Sequence, residues 1–216
     1  MEYNFIIANN PLKAEISFYK HPITNVVKEG NCKLLQIAEY LKSDKAVAAT
    51  KQLHQLKWQF DNSEIEEEKK RLKEEMRKFK AMIFDCVTFS GCFGANRTDA
   101  ELIMHSGLVC LDFDHVGYTL ASLKERLIED KFFKALLLFT SPSGDGLKLV
   151  IAIDLQKCDH KTWCEALRNY FLKAYQLDAD KACSNMSRTC FLPHDPNVYV
   201  APEVKDTSPF IKLICI

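Results

Sequence analysis

Hydrophobic and polar positions alternate near the start of the chain. Tyr3, Phe5 and Ile7, then Ile16 and Phe18, recur at the period-two spacing of a strand. Residues 2–28 are therefore expected to form two strands or a hairpin. Over 31–58 the period changes. Leu34, Leu35, Ile37, Ala38 and Leu41 fall on one helical face, Ser43-Asp44 predicts a break, and Val47, Ala48, Leu53 and Leu56 mark a second helix. Residues 62–80 are dense in charge, with Glu64, Glu66, Glu67 and Glu68 leading and Lys69, Lys70, Arg71, Lys73, Arg77 and Lys78 following. That order suits the helix dipole and i,i+4 ion pairs, so a solvated helix capped by Asn62 or Ser63 is expected.

From residue 81 the pattern predicts strands near 82–89, 107–113, 135–141, 147–153 and 187–192, with helices near 119–130 and 160–176. In the last helix Trp163, Ala166, Leu167, Tyr170, Phe171 and Ala174 repeat at helical spacing and read as core. From 107 onward the order is β-α-β-β-α-β, the split βαβ unit of RRM-like and ferredoxin-like domains. The expected fold is thus α+β, an antiparallel-rich RRM-like sheet with an N-terminal extension of strands and helices. Residues 1–80 would form that extension, 81–205 the core, and 206–216 a tail or the start of a continuation.

Composition changes this picture little. With 216 residues and 47% hydrophobic content the chain can bury a real core. Lys+Arg and Asp+Glu are equal at 29 each, so no global field draws it to nucleic acid or an anionic membrane. Any polyanion would be held by a local basic patch or through a metal. The nine cysteines are not spaced as zinc-site pairs, and no apolar run is long enough to span a bilayer. Reduced, buried thiols in a cytoplasmic protein without a membrane partner are expected.

Candidate chemistry begins at Leu108-Val109-Cys110-Leu111-Asp112-Phe113-Asp114. On a strand, Asp112 and Asp114 share a face and Phe113 takes the other. Two like charges there call for a cation, and oxygen ligands suit Mg²⁺ or Mn²⁺. The plainer reading is a pair of acids capping the next turn. A second segment, Ser141-Pro142-Ser143-Gly144-Asp145-Gly146-Leu147-Lys148, joins two apolar strands as a hairpin turn. Ser141, Ser143, the amides at Gly144 and Gly146, and Lys148 could together cradle phosphates. A third segment holds Asp178, Asp180 and Ser187-Arg188. Asp180 could complete a three-carboxylate metal site and Arg188 could grip a phosphate bidentately, the plainer reading being that the two simply pair.

Together these segments resemble the archaeo-eukaryotic primase superfamily, the primase-polymerases, and more closely the VirE N-terminal-like domains of mobile-element replication proteins. The second likeness adds Ser90-Gly91-Cys92-Phe93 and Asp195-Pro196-Asn197-Val198-Tyr199, and runs from about residue 80 to 200. The resemblance implies metal-dependent nucleotidyl transfer. Asp112, Asp114 and Asp180 (Asp178 in reserve) would hold Mg²⁺ or Mn²⁺, and Ser141, Ser143, Gly144, Gly146, Lys148 and Arg188 would bind a nucleoside triphosphate. Lys80 and Arg97 would approach single-stranded DNA or a primer-template, and a helicase domain or protein would be a partner. Primase-polymerases carry a His where this chain has Lys148, a permanent point charge instead of a switchable ring.

Two rivals follow. The domain could be a non-catalytic nucleotide- or nucleic-acid-binding module of a larger replication protein. Alternatively, Asp112-Phe113-Asp114 resembles the start of a haloacid-dehalogenase-like phosphatase, with Thr140 and Lys148 as its later residues, although that fold needs long parallel crossovers.

Overall fold

The computed structural model describes residues 6–116 and 120–205. In chain order its strands are β1 (Ile6–Ile7), β2 (Ile16–Tyr19), β3 (Gly30–Cys32), β4 (Cys86–Thr88), β5 (Gly91–Phe93), β6 (Leu102–His105), β7 (Leu108–Phe113), β8 (Ala135–Thr140), β9 (Leu147–Ala152), β10 (Cys190–Phe191) and β11 (Tyr199–Val200). The helices are α1 (Leu34–Lys42), α2 (Val47–Asn62), α3 (Glu66–Ile83), α4 (Leu120–Ile128), α5 (His160–Tyr175) and α6 (Pro202–Lys205). The fold is α+β.

The central sheet has the order β11-β8-β9-β7, with every pairing antiparallel. β7, α4 and β8 form the split βαβ unit, with β9 inserted between the two strands. Alternation along these strands gives the sheet two buried faces. Val109, Leu111, Phe113, Leu147, Leu149 and Ile151 pack against Leu123 and Leu127 of α4 and Leu167 and Phe171 of α5. Phe113 meets Phe171 edge-on at 5.0 Å, and burying side chains of this size favours the fold by roughly 1.5–3 kcal/mol each. The opposite face, with Leu108, Leu137, Phe139 and Val150, packs against Ile16, Val87 and α1 residues Leu34, Ile37 and Leu41. The N-terminal part therefore forms a third layer, and its sheet β10-β4-β2-β3 covers the face that carries Asp112.

Several boundaries differ from those the pattern predicts. β1 does not pair with β2; it runs parallel to β6, while β2 lies between β3 and β4. Period-two alternation marks strands but cannot choose their partners. Met82 and Ile83 end α3 instead of opening β4, because a short apolar run reads alike in helix and strand. The predicted strand near 187–192 shortens to β10 and pairs with β4, and the central sheet takes β11 as its fourth strand. The charged helix forms as expected, with Arg71 reaching Glu75 at 3.3 Å and Arg77 reaching Glu74 at 2.7 Å. Its N-cap position is Ile65; Ser63 accepts the Ile65 amide and donates to Glu68.

Among the described residues the cysteines are free thiols, and no helix is long and apolar enough to cross a membrane.

Candidate functional site

The site starts from sheet register. Asp112 stands opposite Lys148, and Lys148 opposite Phe139, so all three project from one face. Both charged side chains are largely buried, and Lys148 Nζ donates to Asp112 Oδ2. Burial pushes the Lys148 ammonium down, but Cys190, Asp112 and Cys110 around it outweigh burial and carry the net shift upward. The other Asp112 oxygen, Oδ1, is buried and has no hydrogen-bond partner. Asp112 borders a cavity of about 20 Å³, room for about one water, lined by Phe89, Ser90, Cys110, Cys183, Asn185 and Arg188 among others.

Asp114 stands two residues on, at the exposed rim. Partial burial and then the Asp112 charge push its carboxyl up, against Lys148, His115 and Lys80. Asp180 reaches the same strand through its backbone, its amide donating to Asp112 O at 2.9 Å. Its carboxylate is engaged elsewhere: Oδ2 accepts from Arg188 at 2.8 Å and Oδ1 from the Ala182 amide at 2.9 Å. Arg188 and Asp180 are thus a pair, and Asp178 pairs with Arg168 at 2.7 Å. Among the described residues no three His, Cys, Asp or Glu side chains are gathered as a metal site. The donor set that fits a hard cation consists of the unpartnered Asp112 Oδ1 together with Asp114.

The Ser-Gly turn is held closely. Ser141 Oγ accepts the Gly146 amide at 3.1 Å, Gly144 N–H donates to Ser141 O at 2.9 Å, and Ser143 Oγ donates to Asp145 at 2.9 Å. A Cβ on Gly146 would lie 2.5 Å from Phe113 O, so the glycine lets the turn rest on the end of the acid-bearing strand. Thr140 is fixed by Asp195, whose Oδ2 accepts its amide at 2.7 Å and Lys124 Nζ at 3.2 Å. This gives the Asp195-to-Tyr199 segment a structural task. It also leaves Thr140 beside Lys124, away from the phosphatase role sketched from the sequence.

Helices α2 and α3 supply groups that the linear pattern does not reveal. Lys57 reaches Asp145 at 3.3 Å, and His115 reaches the same carboxylate at 3.0 Å. His54 meets the Pro142 carbonyl; burial, the largest influence, lowers its pKa. Lys80 lies within the fields of Lys148, Asp114, Asp112 and Asp145. The resemblance places Lys80 near a primer-template, and the helix pattern gives a signal of its own. Leu72, Met76 and Phe79 mark the inward stripe of α3, and Lys80 sits eight residues after Leu72, on that stripe. Arg97 lies apart from this group, donating to Ile23 O at 2.8 Å.

Gly144 adopts φ +86°, and a Cβ there would stand 2.9 Å from His54 Nε2. Gly144→Ala is expected to cost about 1–2 kcal/mol from the left-handed backbone alone, and to displace His54. Urea unfolding together with the His54 ring resonances checks this; unchanged stability and unchanged resonances would refute it.

A buried relay positions the Asp180 turn. Gly107 N–H donates to His105 Nδ1 at 2.9 Å, so that nitrogen carries no proton. His105 Nε2–H then donates to His160 Nδ1 at 3.0 Å, and His160 Nε2–H donates to Cys183 O at 3.2 Å. Cys183 belongs to the 3-10 turn Lys181–Ser184 that Asp180 caps.

These features define an α+β domain with a split βαβ sheet and a carboxylate pair at the end of one of its strands. The chain belongs to the family described as BT4734-like, N-terminal domain, whose model matches residues 78–200. No curated protein and no solved structure matches the chain.

Proposed function

We propose that this domain binds a nucleoside triphosphate with a divalent cation and performs nucleotidyl transfer of the primase-polymerase kind, in replication of DNA or of a mobile element. The observation that carries the reading is the pair Asp112, within β7, and Asp114, just past its end, with Asp112 Oδ1 buried and unpartnered. A buried carboxylate oxygen without a partner is costly unless a ligand engages it. Asp112 and Asp114 would hold Mg²⁺ or Mn²⁺, which when bound supplies activation of a 3′-hydroxyl and neutralisation of the triphosphate. The glycine turn rests against this strand end, and lysine at the site supplies positive charge for the polyphosphate. Asp180, paired with Arg188, serves first to fix β7 through its amide. Single-stranded DNA or a primer-template, and a helicase, are the partners this reading implies.

A second reading has its own observation. Lys148 already neutralises Asp112 from within the fold, as a module that binds nucleotide or nucleic acid without turnover could tolerate.

Calorimetric titration of ATP with Mg²⁺ or Mn²⁺ tests the proposal. Wild type is expected to bind only with metal present, and Asp112→Asn with Asp114→Asn to weaken binding by about tenfold or more. Folded wild type that binds nothing would refute the reading. Metal-dependent binding without primer extension on a primed template would favour the module.

A further inference from the structure

The cations around the site are not equivalent. Lys148 is bound to Asp112, Arg188 to Asp180, and Lys57 to Asp61 at 2.6 Å and Asp145 at 3.3 Å. His115 is also on Asp145, and Lys124 is on Asp195. Each would have to leave a carboxylate to take up an anionic ligand. Lys80 differs. Among the described residues its ammonium makes neither an ion pair nor a hydrogen bond, although Lys80 is half-buried on the inward stripe of α3.

An ammonium in that position has given up hydration without gaining a partner, which is unfavourable unless a ligand supplies one. α3 packs along α2, whose Lys57 and His54 are anchored on the Ser-Gly turn, and Lys80 lies close enough to Asp112, Asp114, Asp145 and Lys148 to feel the charge of each. We propose that Lys80 is the group that receives the ligand's phosphates, while Lys148 is the fixed counter-ion of Asp112. This rests on the reading of the site as one for a metal-bound nucleotide. Asp112 and Asp114 would repel a bare polyphosphate, so the ligand class is a polyphosphate chelated to a divalent cation. The charge environment agrees: burial, then Lys148, lowers the Lys80 pKa, while Asp114, Asp112 and Asp145 act to raise it.

The test is titration of the folded chain with inorganic tripolyphosphate in the presence and absence of Mg²⁺. Wild type, Lys80→Met, Lys80→Arg and Lys78→Met would be compared, with circular dichroism confirming the fold of each. Lys78 is on the outer side of the same helix, its side chain 71% exposed, and is the charge control. Lys80→Met is expected to weaken Mg²⁺-dependent binding by about 10–100-fold, the worth of one charged hydrogen bond. Lys80→Arg should retain most of the affinity, and Lys78→Met should match wild type. Wild-type affinity in Lys80→Met would overturn the role of Lys80 while leaving the site reading intact. Equal losses in Lys80→Met and Lys80→Arg would overturn it too, since packing and not charge would then be responsible. No binding by wild type would remove both.

Discussion

Replacing Lys148 by Met should lower the unfolding free energy by about 3–5 kcal/mol, the usual cost of removing one partner from a buried ion pair. Asp112 Oδ1 already lacks a hydrogen bond, and Oδ2 would lose the lysine that supplies its own. The carboxylate would then face Phe89, Cys110, Cys183 and Cys190, while the cation of the same cavity, Arg188, is already engaged by Asp180. Replacing both partners, as Asp112→Asn with Lys148→Met, should recover most of the loss, because the penalty belongs to the unpaired charge. Urea titrations of wild type, both single variants and the double variant form the cycle that measures this coupling. A loss in Lys148→Met no greater than the roughly 1 kcal/mol of a surface pair would show that Asp112 is hydrated and that the pair is not buried in solution.

Stability should also fall steeply on mild acidification. The relay of His105 and His160 works only with both rings neutral. Burial and then the His160 charge press the His105 pKa down to about 3, and burial also lowers His160. An unfolded chain takes up these protons near pH 6.5, the ordinary histidine value. Between that pH and about 3 the unfolded state therefore binds more protons than the folded one. The stabilisation is full above pH 6.5 and is lost as pH falls, at about 1.4 kcal/mol per pH unit for His105. From pH 6.5 to 4.5 His105 alone accounts for about 3 kcal/mol, and His160 and the buried His54 act in the same direction. Chemical denaturation at a series of pH values reads the slope. A flat profile from pH 7.5 to 4.5 would mean that the rings are hydrated or already charged.

What the sequence discloses about this site follows the range of the interactions involved. The shared face of Asp112 and Asp114 comes from strand periodicity alone, and the turn at Ser141–Gly146 from its glycines and proline; both are local. Lys148 lies in the same legible segment, yet its place opposite Asp112 depends on β9 entering between β7 and β8, a pairing across more than thirty positions. Its expected freedom to meet a phosphate is replaced by an internal partner for that reason. Arg188 and Asp180 are eight residues apart and could be foreseen as a pair, but the Asp180 amide on Asp112 O could not. Lys80 is expected beside a primer-template from the resemblance, but its inward position is not. In a helix where charges dominate, one lysine on the inward stripe looks like its neighbours until Leu72, Met76 and Phe79 are used to orient the helix.

The contact between Asp180 and Asp112 has a consequence beyond the site. β7 is an edge strand: β9 pairs with one side of it, and the other side offers backbone donors and acceptors to whatever lies alongside. Its apolar, β-prone sequence makes it a template for another molecule's strand. The turn that Asp180 caps occupies that border instead, held there by a histidine relay rather than by strand pairing. Loosening the relay is therefore expected to free that border of the sheet for pairing with another molecule, through the very strand that carries the acids.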